Sequence, residues 1–166
     1  GGNLVSGGLD LNNASSKLLL SSSITVDSVS TSLASLGLDV DADSTVTSLS
    51  VAHTTPVSIA SGKTLSGAIT VTAGSIKLDE TGTLASTVSM SGGTLDADET
   101  LTVSGALSHT ANITIDVTTD KTLTYSGTAI SLGAYTLTLS GGGNLVSGGL
   151  DLNNASSKLL LSSSIT

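Results

Sequence analysis

The residues best suited to chemistry in this chain are short clusters of carboxylates. Asp39, Asp41 and Asp43 follow one another at every second position, an order that opens like the D-x-D-x-D of an EF-hand calcium loop. The remainder of such a loop is missing, because Ser44 stands where the turn needs Gly and Ser50 stands where a bidentate Glu is needed. The glycine-rich G-G-x-G-x-D nonapeptide of calcium-binding β-rolls is absent as well.

A second acidic cluster runs through Asp96, Asp98 and Glu99 and echoes the first, with Asp96 lying 55 residues after Asp41. Carboxylates gathered at one corner of a fold can hold a hard cation through their oxygens. Two interpretations stay open for Asp41, Asp43, Asp96 and Asp98, namely loose calcium binding and solvated corner charges. We favour solvated charges and predict no metal, no cofactor and no catalytic residue.

Catalysis is the next chemistry to consider, since some parallel β-helices cleave polysaccharides. The two histidines, His53 and His109, have no partner at the spacing of a zinc site or a catalytic triad. Sugar-cleaving sites need paired carboxylates in a groove, and aromatic rings usually hold the sugar there. The chain has two rings besides histidine, Tyr125 and Tyr135, and contains no Arg. We therefore expect that the protein is not an enzyme.

Threonines at alternate positions suggest a different kind of surface. Flat ranks of Thr-x-Thr on a β-helix can match an ice lattice, and the phrase occurs at residues 45–47, 70–72, 81–83, 100–102, 122–124 and 136–138. We expect the ranks to be broken where residues 63–66 and 82–85 interrupt the column. Threonine is also a generally favoured residue of outward strand faces. Ice binding is therefore the lesser alternative.

Short β-strands are the elements that must position all these residues. Apolar and small polar residues alternate with period two, as in Leu101–Val103 and Ile113–Val117, and Gly or Asn clusters separate the runs. The pattern predicts an all-β architecture. Residues 26–38 break it, and there we favour an irregular corner over a short helix, because Ser and Thr are poor helix formers.

A recurring polar-Thr-Leu phrase indicates how the strands are arranged. Its third positions are residues 19, 46, 65, 84, 101, 123, 137 and 160, which are seven steps that average about 20 residues, a plausible length for one turn of a solenoid. Stacked turns would bury one aliphatic row that no single turn can bury alone. We therefore predict a parallel β-helix with inward leucines and outward threonines.

An internal repeat sets the domain organisation. Residues 1–25 return unchanged as residues 142–166, at an offset of 141 residues. We expect residues 1–141 to be one solenoid unit of about seven turns and residues 142–166 to begin the next unit of the same continuous solenoid. We also expect the natural protein to be longer, with an unstated number of units.

The composition argues against nucleic acid as a partner and against a membrane-spanning helix. The formal charge is −8 and all five cations are lysines, so the basic footprint of a nucleic-acid binder is missing. The longest purely aliphatic run, residues 18–20, is far shorter than the roughly 20 residues of a membrane-spanning helix. Three N-x-[ST] sequences, at Asn13, Asn112 and Asn154, are weak signals for glycosylation in a chain so rich in Ser and Thr.

Residues 99–106 (ETLTVSGA) and 135–143 (YTLTLSGGG) resemble repetitive bacterial surface proteins, namely the passenger regions of autotransporters and the filamentous-haemagglutinin-like adhesins. The resemblance implies a right-handed parallel β-helix, secretion, and a place at the cell surface or in the biofilm matrix. It departs from the family in one respect, since those proteins usually vary their turns whereas 25 residues are copied here. Such copying favours a uniform shaft.

These observations predict a structural repeat that forms the shaft of an extracellular fibre or surface adhesin. The expected partner is the protein itself, through adjacent repeats or identical subunits that stack end to end. The alternative is an adhesin whose solenoid face binds a partner or a glycan directly.

Overall fold

The computed structural model describes residues 2–4 and 8–163, and within them it is entirely β-structure, with no helix. In chain order the strands are β1 (Gly2–Leu4), β2 (Leu9–Asp10), β3 (Lys17–Leu20), β4 (Ile24–Thr31), β5 (Gly37–Val40), β6 (Ser44–Val51), β7 (Thr55–Ile59), β8 (Thr64–Val71), β9 (Ser75–Leu78), β10 (Thr83–Leu84), β11 (Thr87–Met90), β12 (Thr94–Ala97), β13 (Leu101–Val103), β14 (Leu107–His109), β15 (Ile113–Val117), β16 (Thr122–Tyr125), β17 (Ile130–Ser131), β18 (Thr136–Ser140), β19 (Asn144–Ser147), β20 (Leu150–Asp151) and β21 (Lys158–Leu161).

Two long parallel sheets run the length of the molecule. An eleven-stranded sheet follows the order β1-β4-β6-β8-β10-β13-β16-β19, with β2, β11 and β14 beside this path. An eight-stranded sheet follows the order β3-β5-β7-β9-β12-β15-β18-β21, and β17 pairs with β20. The chain crosses from one sheet to the other and returns one strand further along, so the fold is a β-solenoid of about eight turns. The prediction of a parallel β-solenoid is confirmed, and its right-handed coiling stays a prediction.

The number of residues in a turn varies around the predicted value. Paired residues are separated by as few as 19 positions, as between Ser75 and Thr94, and by as many as 24, as between Ile113 and Leu137. The strands of the eight-stranded sheet all have four or five residues, whereas the segments that connect them differ in length. The 141-residue unit and its boundary at residue 142 therefore stay predictions from the sequence.

The register predicted from the polar-Thr-Leu phrase is partly right. Leu65 pairs with Leu84, and Leu101 pairs with Leu123, as the phrase predicted. On the same sheet, however, Val46 pairs with Gly67 and Leu84 pairs with Val103, so those two steps are displaced by two residues. Three further positions of the series lie in the other sheet, on β3, β18 and β21, and are Leu19, Leu137 and Leu160. The phrase failed at Leu137 because an outward Thr beside an inward Leu is typical of a strand on either sheet. At Leu19 and Leu160 it also chose the outward residue, since Leu18 and Leu159 are the ones that pack against the core.

The interior is one continuous column of aliphatic side chains. Leu101 and Leu123 are 5% and 1% exposed, whereas Thr102 and Thr124, the next residues of the same strands, lie on the outer surface. One tyrosine ring enters this core, and the hydroxyl of Tyr125 accepts the Leu107 N–H at 3.0 Å and donates to the Thr128 carbonyl at 2.7 Å. The inward and outward assignment made from the sequence is confirmed for Leu101 and Leu123, and it is wrong for Leu19 and Leu160, which are exposed.

Residues 26–38 form neither a helix nor only a corner. Strand β4 continues to Thr31, and Val26 and Val29, three positions apart, are both buried. Strand β6 repeats this spacing with Val46 and Leu49, which pair with Val26 and Val29. The slip in the apolar pattern is therefore a kink inside the strands of this sheet, and an irregular corner follows at residues 32–36.

Small residues stack at the kink from one turn to the next. A Cβ added to Gly67, whose φ is +126°, would lie 1.8 Å from the Val46 carbonyl oxygen. A Cβ on Gly105 would lie 1.8 Å from the Ser86 carbonyl oxygen, and one on Gly127 would lie 2.5 Å from that of Gly105. The column permits the backbones of neighbouring turns to approach where the sheet bends.

The inward row gives the first testable prediction. We expect Leu123→Ala to lower the free energy of unfolding by about 2–5 kcal/mol, because it leaves a cavity in the core. The matched control Thr124→Ala removes an outward side chain and should change the free energy by less than about 0.5 kcal/mol. Urea melts measure both values, and equal losses would contradict the assignment.

The glycine column, formed by Gly67, Gly105 and Gly127, gives the second testable prediction. We expect Gly105→Ala to destabilise the protein by about 1–3 kcal/mol, because its methyl group overlaps a carbonyl of the turn below. Gly148→Ala is the control, since its Cβ would lie 3.7 Å from the nearest atom, the Gly127 carbonyl oxygen. A melting temperature that falls as much for Gly148→Ala as for Gly105→Ala would show that the close approach is not the cause.

Candidate functional site

The outer surface of the eleven-stranded sheet carries a column of threonines. Thr64 pairs with Thr83, Thr83 with Thr102, and Thr102 with Thr124, on four successive turns. All four side chains are partly exposed. Because adjacent strands lie about 4.8 Å apart, the hydroxyls recur at that distance along the solenoid axis.

Extending the register of Thr83, Thr102 and Thr124 by two residues towards the N-terminus gives a second column of Thr81, Thr100 and Thr122. The Thr122 N–H donates to Thr100 Oγ1 at 3.1 Å across neighbouring turns. The Thr-x-Thr ranks at residues 81–83, 100–102 and 122–124 are therefore stacked on consecutive turns. The expectation that residues 82–85 interrupt the ranks is wrong, because Thr83 pairs with Thr102 and belongs to the rank 81–83. Residues 63–66 do end the ranks, because Thr64 has no second Thr two residues away.

The other Thr-x-Thr phrases do not extend this array. Residues 45–47 lie at the kink of β6, residues 70–72 follow the kink of β8, and residues 136–138 lie on the eight-stranded sheet. The array is therefore three complete ranks with one additional threonine below them. We name these seven threonines the threonine face; its members are Thr64, Thr81, Thr83, Thr100, Thr102, Thr122 and Thr124.

A polar cavity of about 330 Å³ lies beside the lower end of the threonine face. Side chains with amide, hydroxyl or carboxylate groups contribute to its walls: Asn3, Thr25, Asp43, Thr45, Thr64 and Ser66. The Asp43 carboxylate accepts the backbone N–H of Thr64 at 2.9 Å, so one of its oxygens is already engaged. The cavity has the donors and acceptors of a sugar subsite but no aromatic wall.

The two acidic clusters occupy different places on the solenoid. Asp41 and Asp43 lie at the corner between β5 and β6, whereas Asp96 lies within β12 on the eight-stranded sheet and Asp98 follows it. Strand pairing from Leu38 through Val57 and Leu78 to Ala97 gives 59 residues for three turns, so the idea that the offset of 55 is a whole number of turns is wrong. Among residues 2–4 and 8–163, no three His, Asp or Glu side chains form a group that could hold a metal ion.

Lysines join the carboxylates of neighbouring turns. Lys17 Nζ lies 2.5 Å from Asp39 Oδ2, and Lys121 Nζ lies 2.6 Å from Glu99 Oε2. Lys77 contacts Asp98. Since each pair connects adjacent turns, these charges bind the stack together.

The surroundings shift the pKa values of the two carboxyls beside Lys77 in opposite directions. The hydrogen bond from Lys77 lowers the pKa of Asp98, and a bond from Thr118 Oγ1 at 3.0 Å adds to the effect. Burial raises the pKa of Asp96, and the negative charge of Asp98 raises it further. The pKa of Lys77 is raised in turn, chiefly by its hydrogen bond with Asp98.

The two histidines lie in different surroundings. His53 is exposed, whereas His109 Nδ1 lies 2.9 Å from the Ala111 carbonyl oxygen and its ring meets the edge of Tyr135 at 5.8 Å between centroids. His109 Nε2 is buried and has no hydrogen-bond partner within the described residues.

Comparison with known proteins found no match to the chain among protein-family models, curated proteins or solved structures. No helix long and apolar enough to cross a bilayer occurs among the residues described. The resemblance to bacterial surface proteins therefore stays a prediction.

The carboxyls beside Lys77 give the third prediction. Because the folded state lowers the pKa of Asp98, its stabilising contribution is complete above the unfolded value of about 3.8 and is lost as the pH falls through the folded value. We expect Asp98→Asn to be less stable than the native chain at pH 7 and to approach it in acid. Unfolding free energies measured across this pH range test the sign.

Asp96→Asn is the matched comparison, because the raised pKa of Asp96 has the opposite sign. Its charged form destabilises the fold above the folded pKa, and protonation relieves this as the pH falls. We expect Asp96→Asn to equal or exceed the native stability at pH 7. The assignment is overturned if both variants lose stability to the same extent.

Proposed function

We propose that this chain is a structural segment, the shaft of an extracellular fibre or surface adhesin that lengthens by the stacking of solenoid turns. The observation that carries the proposal is the continuity of the two parallel sheets, which extend from the first described turn to the last around one aliphatic core. A solenoid of this kind has no closed surface that limits its length, because each turn offers the next one the same edge.

The dimensions agree with such a role. Seven strand steps separate β3 from β21, and at about 4.8 Å for each step they extend roughly 34 Å along the axis. Strand pairing and lysine–carboxylate pairs both connect neighbouring turns, so bending the shaft would strain hydrogen bonds and ion pairs together. These features support a stiff rod.

The extracellular location rests on the resemblance of residues 99–106 and 135–143 to bacterial surface proteins. The surface chemistry is compatible with it, since the chain carries a net charge of −8 and its outer strand faces are rich in Ser and Thr. A well-hydrated acidic surface keeps a long repetitive rod soluble. The copied 25-residue segment supports a uniform shaft rather than a series of distinct binding modules.

Direct binding on the threonine face is the second candidate function. The observation that favours this function is the alignment of three Thr-x-Thr ranks. The alignment places hydroxyls about 4.8 Å apart along the axis and roughly 6.6–6.8 Å apart along each strand. Such a regular array suits an ordered partner such as ice. The polar cavity beside Asp43 would instead suit a glycan, as in an adhesin.

Electron microscopy of chains with one, two and four 141-residue units tests the shaft. We expect unbranched rods whose length grows by roughly 34 Å with every unit, seven turns at the strand spacing. Compact particles joined by flexible links would contradict the proposal.

A thermal-hysteresis assay separates the two candidate functions. The shaft proposal predicts that the purified chain leaves ice growth unchanged. If hysteresis were found and Thr102→Lys abolished it, while a substitution on the opposite sheet such as Thr114→Lys did not, the threonine face would be an ice-binding surface.

A further inference from the structure

The charged side chains of the solenoid are confined to one side of it. Between residues 37 and 150, every Asp, Glu and Lys lies on a strand of the eight-stranded sheet or on the corner that follows that strand. Ten of them are carboxylates and three are lysines, so this side is acidic. Within the same range the strands of the eleven-stranded sheet carry no Asp, Glu or Lys. Net charge keeps a protein soluble wherever on the surface it lies, so solubility alone does not require this separation.

Beyond its kink, the eleven-stranded sheet presents an uncharged outer surface on four consecutive turns. Ser50 of β6 lies opposite Thr70 of β8, which lies opposite Ser89 of β11. Ser89 in turn lies opposite Ser108 of β14. A second column runs beside the first, two residues earlier in the chain. We name the seven residues of these columns the uncharged face; its members are Ser48, Ser50, Ala68, Thr70, Thr87, Ser89 and Ser108.

Two carboxylates bound the uncharged face on the side of β4. Asp10 lies opposite Ser30, which lies opposite Ser50, so the first column meets a charge there. Asp27 lies at the kink of β4 itself. The uncharged face therefore covers the four strands β6, β8, β11 and β14, which are three strand steps, or about 14 Å, along the axis.

The hydroxyls of the uncharged face are available for contacts outside the molecule. In the part of the chain that the structure describes, no side-chain hydroxyl of this face makes a hydrogen bond with the protein. All of its residues except Ser50 are exposed. Hydroxyls on the acidic side are engaged instead, since Ser58 Oγ donates to Asp79 at 2.6 Å and Thr118 Oγ1 donates to Asp98 at 3.0 Å.

The threonine face differs from the uncharged face in its neighbours. It borders the charged corner, because Thr64 follows Lys63 directly and Thr100 follows Glu99. The uncharged face lies on the other side of the kink. The corners that follow its strands, at residues 52–54, 72–74, 91–93 and 110–112, contain no Asp, Glu or Lys. Of the two faces, the uncharged face therefore lies further from the charges along each turn.

We infer that two copies of this solenoid pair side by side through their uncharged faces. The inference rests on the proposed shaft function and adds a lateral partner to it. Two chains that each carry a net charge of −8 repel one another most where their acidic sides meet, and least where both surfaces are uncharged. Charge therefore selects the side on which a second copy can approach.

A surface of hydroxyls is able to pair with an identical surface. Each Ser or Thr hydroxyl both donates and accepts a hydrogen bond, whereas a carboxylate only accepts. A two-fold interface places the same surface on both partners, so it requires groups of this self-complementary kind. The short side chains allow two sheets to stack face to face at the usual spacing of about 10 Å.

The pairing is weak for one chain and grows with the length of the rod. A hydrogen bond between hydroxyls replaces bonds to water and contributes little net free energy. Successive units of one rod present the same face again, and once the first faces have met, the next ones bind without a new diffusional encounter. The expected assembly is a pair of parallel or antiparallel rods whose acidic sides face the solvent.

Sedimentation velocity of the intact 166-residue chain tests the pairing. We expect a reversible dimer whose proportion rises with protein concentration. We also expect it to be stronger at 0.5 M than at 0.05 M salt, because salt screens the repulsion between the two acidic chains.

Charge substitutions locate the surface. Thr70→Glu introduces a carboxylate at the uncharged face, and a two-fold interface receives that charge twice, so we expect dimerisation to weaken at least about tenfold. Ser89→Glu, one turn further, should act in the same way. Thr102→Glu on the threonine face and Thr114→Glu on the eight-stranded sheet are the matched controls, since they change the net charge equally. Circular dichroism verifies that all four variants keep the fold.

Each outcome decides for or against the pairing. A chain that stays monomeric at every concentration and salt overturns it, and so does an equal loss of dimer in Thr70→Glu and Thr102→Glu. A monomeric chain that adsorbs to ice or to a polysaccharide, and loses this property in Thr70→Glu, assigns the face to that partner instead. Electron microscopy of tandem units tests the shaft separately, because rods form whether or not they pair.

Discussion

No turn of this protein has a core of its own, and the structure depends on the pairing of each turn with the ones above and below it. A turn of about 20 residues presents a single aliphatic row, which would face water in isolation. Parallel strand pairing brings successive rows together, so that Leu65, Leu84 and their neighbours form one buried column. Hydrogen bonding and burial of apolar side chains therefore arise from the same event, the addition of a turn.

This dependence explains features that a single turn would not require. Lysines pair with carboxylates across turns, and hydroxyls repeat on consecutive turns because strands with similar patterns stack in register. Close backbone approach at the kink excludes side chains from Gly67 and Gly105.

Much of the architecture could be predicted from the sequence, because period-two alternation and the Leu and Thr positions report which side of a strand faces inward. Exact register could not be predicted, since the corners vary and one phrase marks strands of both sheets, as Leu19 and Leu137 show. For this reason the Thr-x-Thr phrases were recognised in the sequence, but the stacking of three of them on consecutive turns was not predicted. The glycine column was missed because its constraint comes from carbonyl groups of another turn, which leave no local signal.

The central claim is that successive turns stack as parallel strands along the axis of a continuous rod. X-ray diffraction from oriented fibres of several tandem units measures that arrangement directly. The account predicts a meridional reflection at about 4.8 Å, the spacing of adjacent strands. A pattern in which this spacing lies across the fibre axis, or is absent, would contradict it.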